Sequence, residues 1–292
     1  MYRNRKLPYL FMLPAILTIL FVSLAPFLYS VAISLTDWDG ISPSMSFVGL
    51  NNYKTMLTDS TLRDVLSNNV VYFIWLVGAQ NVFALIIAMV LNGKFRGRNF
   101  FRATIFFPTL VSSVAVGFIW SLMYNPMAGV LTTISKILDL PTKSLIWLGD
   151  PIFAKYSIIA TSIWQWAGWN VIIYFAGLQS IPDEMYEAAA IDGAGVLKRT
   201  FFIVLPLLAP AITINIVMSS IGALKLFDLP YIMTGGGPGH TSSTIAIAIY
   251  HNSFLMNKMG YGTAISLVLF VLVLIVSAVQ TILLRRQEER VS

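Results

Sequence analysis

Cysteine is absent from this 292-residue chain, which excludes a disulfide framework and any thiolate metal site. Histidine is nearly absent: His240 and His251 are too few for a histidine cluster. Charge is the next scarcity. Only 11% of the residues are Asp, Glu, Lys or Arg, against about 25% in soluble domains. No G-x-x-x-x-G-K-[ST] phosphate loop occurs, so energy for any work the chain does comes from elsewhere. Paired carboxylates, a nucleophile with its base, and clustered metal ligands are also missing, which makes a membrane enzyme the weakest function class. The net charge of +6 would suit nucleic acid, but the cations cluster at the ends of apolar runs and that reading fails.

What the chain does have is apolar length. Hydrophobic residues make up 57% of it and the mean hydropathy is +0.76. A helix needs about 20 mostly apolar residues to cross a bilayer. Six stretches qualify: 8–35, 69–91, 103–124, 153–179, 202–224 and 261–284. They are too long and too uniformly apolar for the alternating segments of about 10 residues in a β-barrel. Their interiors hold almost no ionised side chain, with Lys155 at an edge. The first run exceeds a signal-peptide core of about 7–15 residues and no small-residue cleavage site is evident, so it reads as a retained span.

Lysine and arginine in short loops set the orientation. With the N-terminus cytoplasmic, the inside holds Arg3, Arg5, Lys6, Lys94, Arg96, Arg98, Arg102, Lys198, Arg199, Arg285, Arg286 and Arg290, twelve in all. The longer outside segments hold only seven: Lys54, Arg63, Lys136, Lys143, Lys155, Lys225 and Lys258. The expectation is an all-α, multi-pass protein of the cell membrane, with six transmembrane helices and both termini cytoplasmic. Residues 1–65 form a tail, a peripheral first helix and an external segment. Residues 66–283 form a five-helix functional core, and 284–292 a cytoplasmic tail.

The loop between the fourth and fifth spans is the most informative segment. Ser180 and Asp183 read as a helix N-cap and its capping-box acid, and Pro182 suits a first turn. Residues 184–190 favour helix. Gly193 suits a left-handed helix end, and a second helix begins near Val196. A capped, solvated loop would explain Ser180, Pro182 and Asp183. It does not explain Glu187, Ala188, Ala189, Gly193, Ile203, Leu205 and Pro206 at their fixed spacing. Together these resemble the EAA signature of integral membrane subunits in ATP-binding-cassette (ABC) importers. The segments Phe47–Tyr53, Arg98–Arg102, Ser162–Gln165, Ala176–Pro182 and Phe227–Gly239 extend the likeness to carbohydrate-importer permeases of the maltose-transporter class, over nearly the whole chain.

That resemblance implies a MetI-like five-helix permease core and a transport subunit that is not itself an enzyme. It implies an ATP-binding cassette ATPase dimer gripping the loop through Glu187, Ala188, Ala189 and Gly193, with Asp192 and Tyr186 secondary. It further implies a second homologous permease, which the extra first span suggests is a different chain, and an extracytoplasmic solute-binding protein that delivers a sugar. ATP and Mg would sit on the ATPase, leaving this chain with no cofactor, no metal and no nucleic-acid partner. The large external domain of the maltose subunit is missing, so gating through it does not carry over.

Two points stand apart from the resemblance. An ion-coupled secondary carrier of a small neutral solute is the alternative function, yet such carriers usually place ionised groups inside their spans. Thr234–Gly239 looks like a phosphate cradle but lacks the lysine, so a tight external turn is the simpler reading. For the substrate pathway, neutral sugars stack on aromatic rings and exchange hydrogen bonds with amides. Gln165, Trp166, Trp169 and Asn170 supply both, with Trp166 and Asn170 expected on one helix face and Gln165 with Trp169 on the next. Asn81 and Asn215 are further candidates, against the plainer possibility that they bond neighbouring helices.

Overall fold

The computed structural model describes residues 7–93, 95–141 and 145–288. Arg3, Arg5, Lys6, Lys94, Lys143 and Arg290 therefore lie outside the described residues. In chain order the helices are α1 (7–34), α2 (Asn51–Thr58), α3 (Ser60–Asn92), α4 (Arg98–Leu110), α5 (Ser113–Met123), α6 (Val130–Ile137), α7 (Phe153–Gln179), α8 (Asp183–Ile191), α9 (Val196–Arg199), α10 (Ala209–Leu224), α11 (Asp228–Thr234), α12 (Ile245–Leu255) and α13 (Met259–Glu288). No strand occurs among the described residues beyond an isolated bridge between Thr36 and Phe47.

Phe11–Ser34, Ser60–Asn92, Ala209–Thr234 and Met259–Arg286 are each long and apolar enough to cross a membrane. The pair α4 and α5 makes a fifth crossing if counted together, although its halves meet at 99°. The stretch expected over 103–124 is thus two helices with a sharp bend between them. Pro108 removes a backbone donor near the end of α4, and Ser112 caps the next helix by accepting from the Ala115 N–H at 3.3 Å. The 27-residue α7 has the length to cross but not the apolarity. Its amides and hydroxyls face inward, where lipid does not test them. The fifth stretch is not one continuous helix, which Pro206 and Pro210 allow. Residues 200–204 wind as π-helix, and a continuous helix starts only at Ala209. Pro210 has no N–H to offer the Pro206 carbonyl, so the ladder breaks there.

The chain forms two compact units. One comprises the chain up to Ser60 with Ala248–Phe270. Here the start of α2 closes the end of α1: Asn52 Nδ2 donates to the Ser34 and Thr36 carbonyls at 2.8 Å, and Ser34 Oγ lies 2.8 Å from the Tyr53 hydroxyl. Tyr261 donates to Asp59 at 2.7 Å in the same unit.

The other unit, Thr61–Ile247 with the chain from Val271, is built around α7. The Gln80–Asn92 half of α3, α4 and α10 all pack on it. One apolar cluster joins Ala84, Ala88 and Leu91 of α3 to Val171, Tyr174 and Leu178 of α7 and to Leu208 and Ala211. A second gathers Tyr72, Val116, Ile158, Leu229 and Met233 nearer the other end of α7. Gly168 lets α4 come close: a β-carbon there would sit 2.9 Å from Thr109 Oγ1 and 3.0 Å from Phe106 Cα.

Candidate functional site

The loop after α7 is stapled by backbone chemistry at both ends. Ser180 is not the N-cap of α8; Pro182 holds that position without a side-chain hydrogen bond. Ser180 instead ends α7, its hydroxyl turned back to the Gly177 carbonyl at 2.8 Å. A serine placed one residue after a long helix finds that helix's free carbonyls before it meets the next helix's donors. Asp183 and Glu184 occupy the first turn of α8, where they favour the helix dipole.

The other end matches expectation. Gly193 has φ +68, its N–H donates to the Ala190 carbonyl at 3.1 Å, and the Ala194 N–H reaches the Ala189 carbonyl at 2.9 Å. This pair of bonds is the Schellman closure, and it needs a residue that tolerates the left-handed region. α9 starts at Val196 as the spacing predicts. Ala189 is buried, while Ile181 and Val204 on either side of the loop sit in the α3–α7 apolar cluster. Glu187, Ala188, Ala190, Asp192 and Gly193 are exposed, with Ile191, Val196 and Leu197 beside them more than two-thirds open. Tyr186 is half-buried, and Arg199 lies over its ring at 5.5 Å. Burial pushes the Tyr186 phenol above its ordinary pKa; Arg199 pulls it down and Asp183 pushes it up, each by less. The loop thus offers an acid and small residues on a rigid knob with an apolar rim.

A second site lies along α7. Trp166, Trp169 and Asn170 line a cavity of about 480 Å³, together with Gln80, Ser219 and the Lys225–Leu229 turn. The two tryptophans are 41% and 51% exposed, so their faces are open to a ligand. The expected grouping by face is corrected here. Trp169 joins Trp166 and Asn170, while Gln165, one turn before Trp169, is fully buried and does not line the cavity. Gln165 Nε2 donates to the Val111 carbonyl at 3.1 Å and to Ser113 Oγ at 3.3 Å, bracing the α4–α5 bend.

Behind the cavity, neutral polar groups from three helices connect. Gln80 Nε2 donates to Asn170 Oδ1 at 3.1 Å. Asn170 Nδ2 donates to Asn81 Oδ1 at 3.0 Å and Ser219 Oγ at 2.9 Å. The Tyr174 hydroxyl donates to Asn81 Oδ1 at 2.8 Å. Asn215 Nδ2 donates to the Asn170 carbonyl at 3.2 Å. Asn81 and Asn215 are buried and do not line the cavity. Tyr174 was not among the sequence candidates, although it lies one turn from Asn170.

Among the described residues, no three histidine or carboxylate side chains stand close enough to hold a metal. Residues 80–289 match a family model described as the binding-protein-dependent transport system inner membrane component. A probable ABC transporter permease of Bacillus subtilis is 36% identical over 95% of this chain and 96% of its own length. The trehalose/maltose transport system permease MalF of Thermococcus litoralis is 35% identical, covering 94% and 92%. The multiple sugar-binding transport system permease MsmF of Streptococcus mutans is also 35% identical, covering 94% and 93%. A chain of the bacterial alginate ABC transporter, solved with an alginate pentasaccharide-bound periplasmic protein, superposes with a TM-score of 0.86. It does so at 20% identity over 98% of this chain and 96% of that one, a likeness of fold.

Proposed function

The chain belongs to the family of binding-protein-dependent transport system inner membrane components, and we propose that it forms the gated half-pore through which an ABC importer moves a sugar or oligosaccharide. It is a multi-pass permease subunit of the cytoplasmic membrane and not an enzyme. ATP and Mg act on the ATPase, which meets this chain at α8.

The observation that carries the coupling role is the form of the α8 knob. Its backbone is closed by the Schellman bonds at Gly193, and Tyr186, with Ile181 and Val204 on either side of it, packs on the α3–α7 core. A push on Glu187, Ala188 or Asp192 therefore moves α7 and the start of α10 as one body. Six spans with both termini cytoplasmic would put this knob on the ATP side, and the cation count supports that orientation. The partners are an ATPase dimer, a second permease of different sequence, and an extracytoplasmic solute-binding protein.

The sugar pathway is the cavity of Trp166, Trp169 and Asn170. Two indole faces can cover the C–H patches of a pyranose while the Asn170 amide trades hydrogen bonds with hydroxyls. Asn81, Asn215 and Gln165 act one step back, holding the wall in shape.

The test is uptake by the assembled importer. Glu187→Lys is expected to abolish uptake and weaken ATPase association, while the solute-binding protein keeps its ligand affinity. Full uptake by that variant refutes the coupling role. Trp166→Ala is expected to raise the KM of transport while the complex still assembles; unchanged kinetics would remove Trp166 from the pathway.

A further inference from the structure

The α4 side of the larger unit carries a second cavity, separate from that of Trp166 and Asn170. A groove of about 260 Å³ runs between α4 and α7, lined by Leu91, Ala103, Ile105, Phe106, Val171 and Phe175. Arg102 closes one end. Its guanidinium lies 3.8 Å from the centre of the Phe175 ring and donates to the Leu91 carbonyl at 3.4 Å, while its Nε is buried without a partner. Arg98 precedes Arg102 by one turn on the same helix face as Ile105 and Phe106. Arg96 sits just before α4. None of the three pairs with a carboxylate among the described residues. The local chain offers no acid either: none occurs from Val65 to Leu138, nor anywhere in α7.

An apolar slot capped by uncompensated guanidinium groups, in a protein that lies in a bilayer, matches one ligand class. We propose that this groove holds an anionic phospholipid, with part of an acyl chain between α4 and α7 and the phosphate at Arg98 and Arg102. Cations at a span end orient a chain whatever lies beneath them. Orientation alone does not require an apolar slot under the arginines, nor one guanidinium folded over an aromatic ring at its mouth. Basic pockets between membrane helices are known to select acidic head groups. The proposal needs only the membrane location, so it stands apart from the identity of the sugar.

Lipid binding to the detergent-purified importer complex, read by native mass spectrometry, tests it. Phosphatidylglycerol should bind more tightly than phosphatidylcholine of the same chains, and glycerol phosphate should not displace it. Arg98→Gln should weaken phosphatidylglycerol roughly fivefold, the worth of one surface cation. Ala103→Trp fills the slot from an exposed position without changing charge, and should also lower phosphatidylglycerol binding. Arg285→Gln, at the end of α13, should leave it unchanged. Equal binding of the two lipids would overturn the selection of an anionic head group, and equal loss with Arg285→Gln would reduce the effect to diffuse charge attraction. Undiminished binding in Ala103→Trp would remove the groove from the account. Displacement by glycerol phosphate would make a soluble phosphate the occupant instead.

Discussion

Asn170 accepts one side-chain hydrogen bond, donates two more, and takes a fourth at its backbone carbonyl. Single hydrogen bonds between membrane helices average only about 0.6 kcal/mol, because the separated helices find other partners. Removing Asn170 is different in kind, since Gln80, Asn81 and Ser219 lose a partner together and each is at least partly screened from water. An unsatisfied buried group costs about 1–3 kcal/mol. Asn170→Leu is therefore expected to lower the melting temperature of the detergent-solubilised complex, and a melting curve identical to wild type would show that the network is not holding α3, α7 and α10 together. The sequence named Asn81, Gln165, Asn170 and Asn215 because amides in apolar runs need a reason. It could not tell which of them line the cavity, because a helical period tells which residues share a face and not which helix meets that face. Tyr174 escaped notice since a tyrosine in a span reads as apolar bulk until its hydroxyl is seen on Asn81.

At the scale of elements, α8 was readable almost to the residue because its signals are local: helix-favouring residues 184–190, then a glycine that can adopt φ +68. The α4–α5 bend was not readable, because apolar runs look the same whether straight or broken, whereas Pro206 and Pro210 mark a bend in the fifth stretch without fixing where the helix resumes. Ser180 misled for a related reason, since one hydroxyl can end one helix as readily as begin the next. Gly193→Val tests the closure of α8. No atom lies within 4 Å of a β-carbon built at 193, so the penalty is purely backbone, roughly 1–2 kcal/mol for the left-handed region. The expected outcome is faster proteolysis between residues 190 and 196 and weaker ATPase capture, with the spans intact. Unchanged capture would mean that the knob need not be rigid.

Across the whole molecule, the two sites lie on one helix system. The cavity of Trp166 and Asn170 and the knob of Glu187 share α7, and the apolar cluster of Tyr174, Leu178, Ile181, Val204 and Leu208 fills the distance between them. Ionised groups are missing from the buried polar network, whose members are amides and hydroxyls. That chemistry suits a wall that is moved by another protein better than one that titrates with an ion gradient. The direct measurement is solute accumulation in sealed proteoliposomes. With the ATPase, the second permease, the solute-binding protein and ATP present, the account predicts uptake against a gradient. With this chain alone it predicts none, under either a proton or a sodium gradient. Concentrative uptake by the chain alone would contradict it.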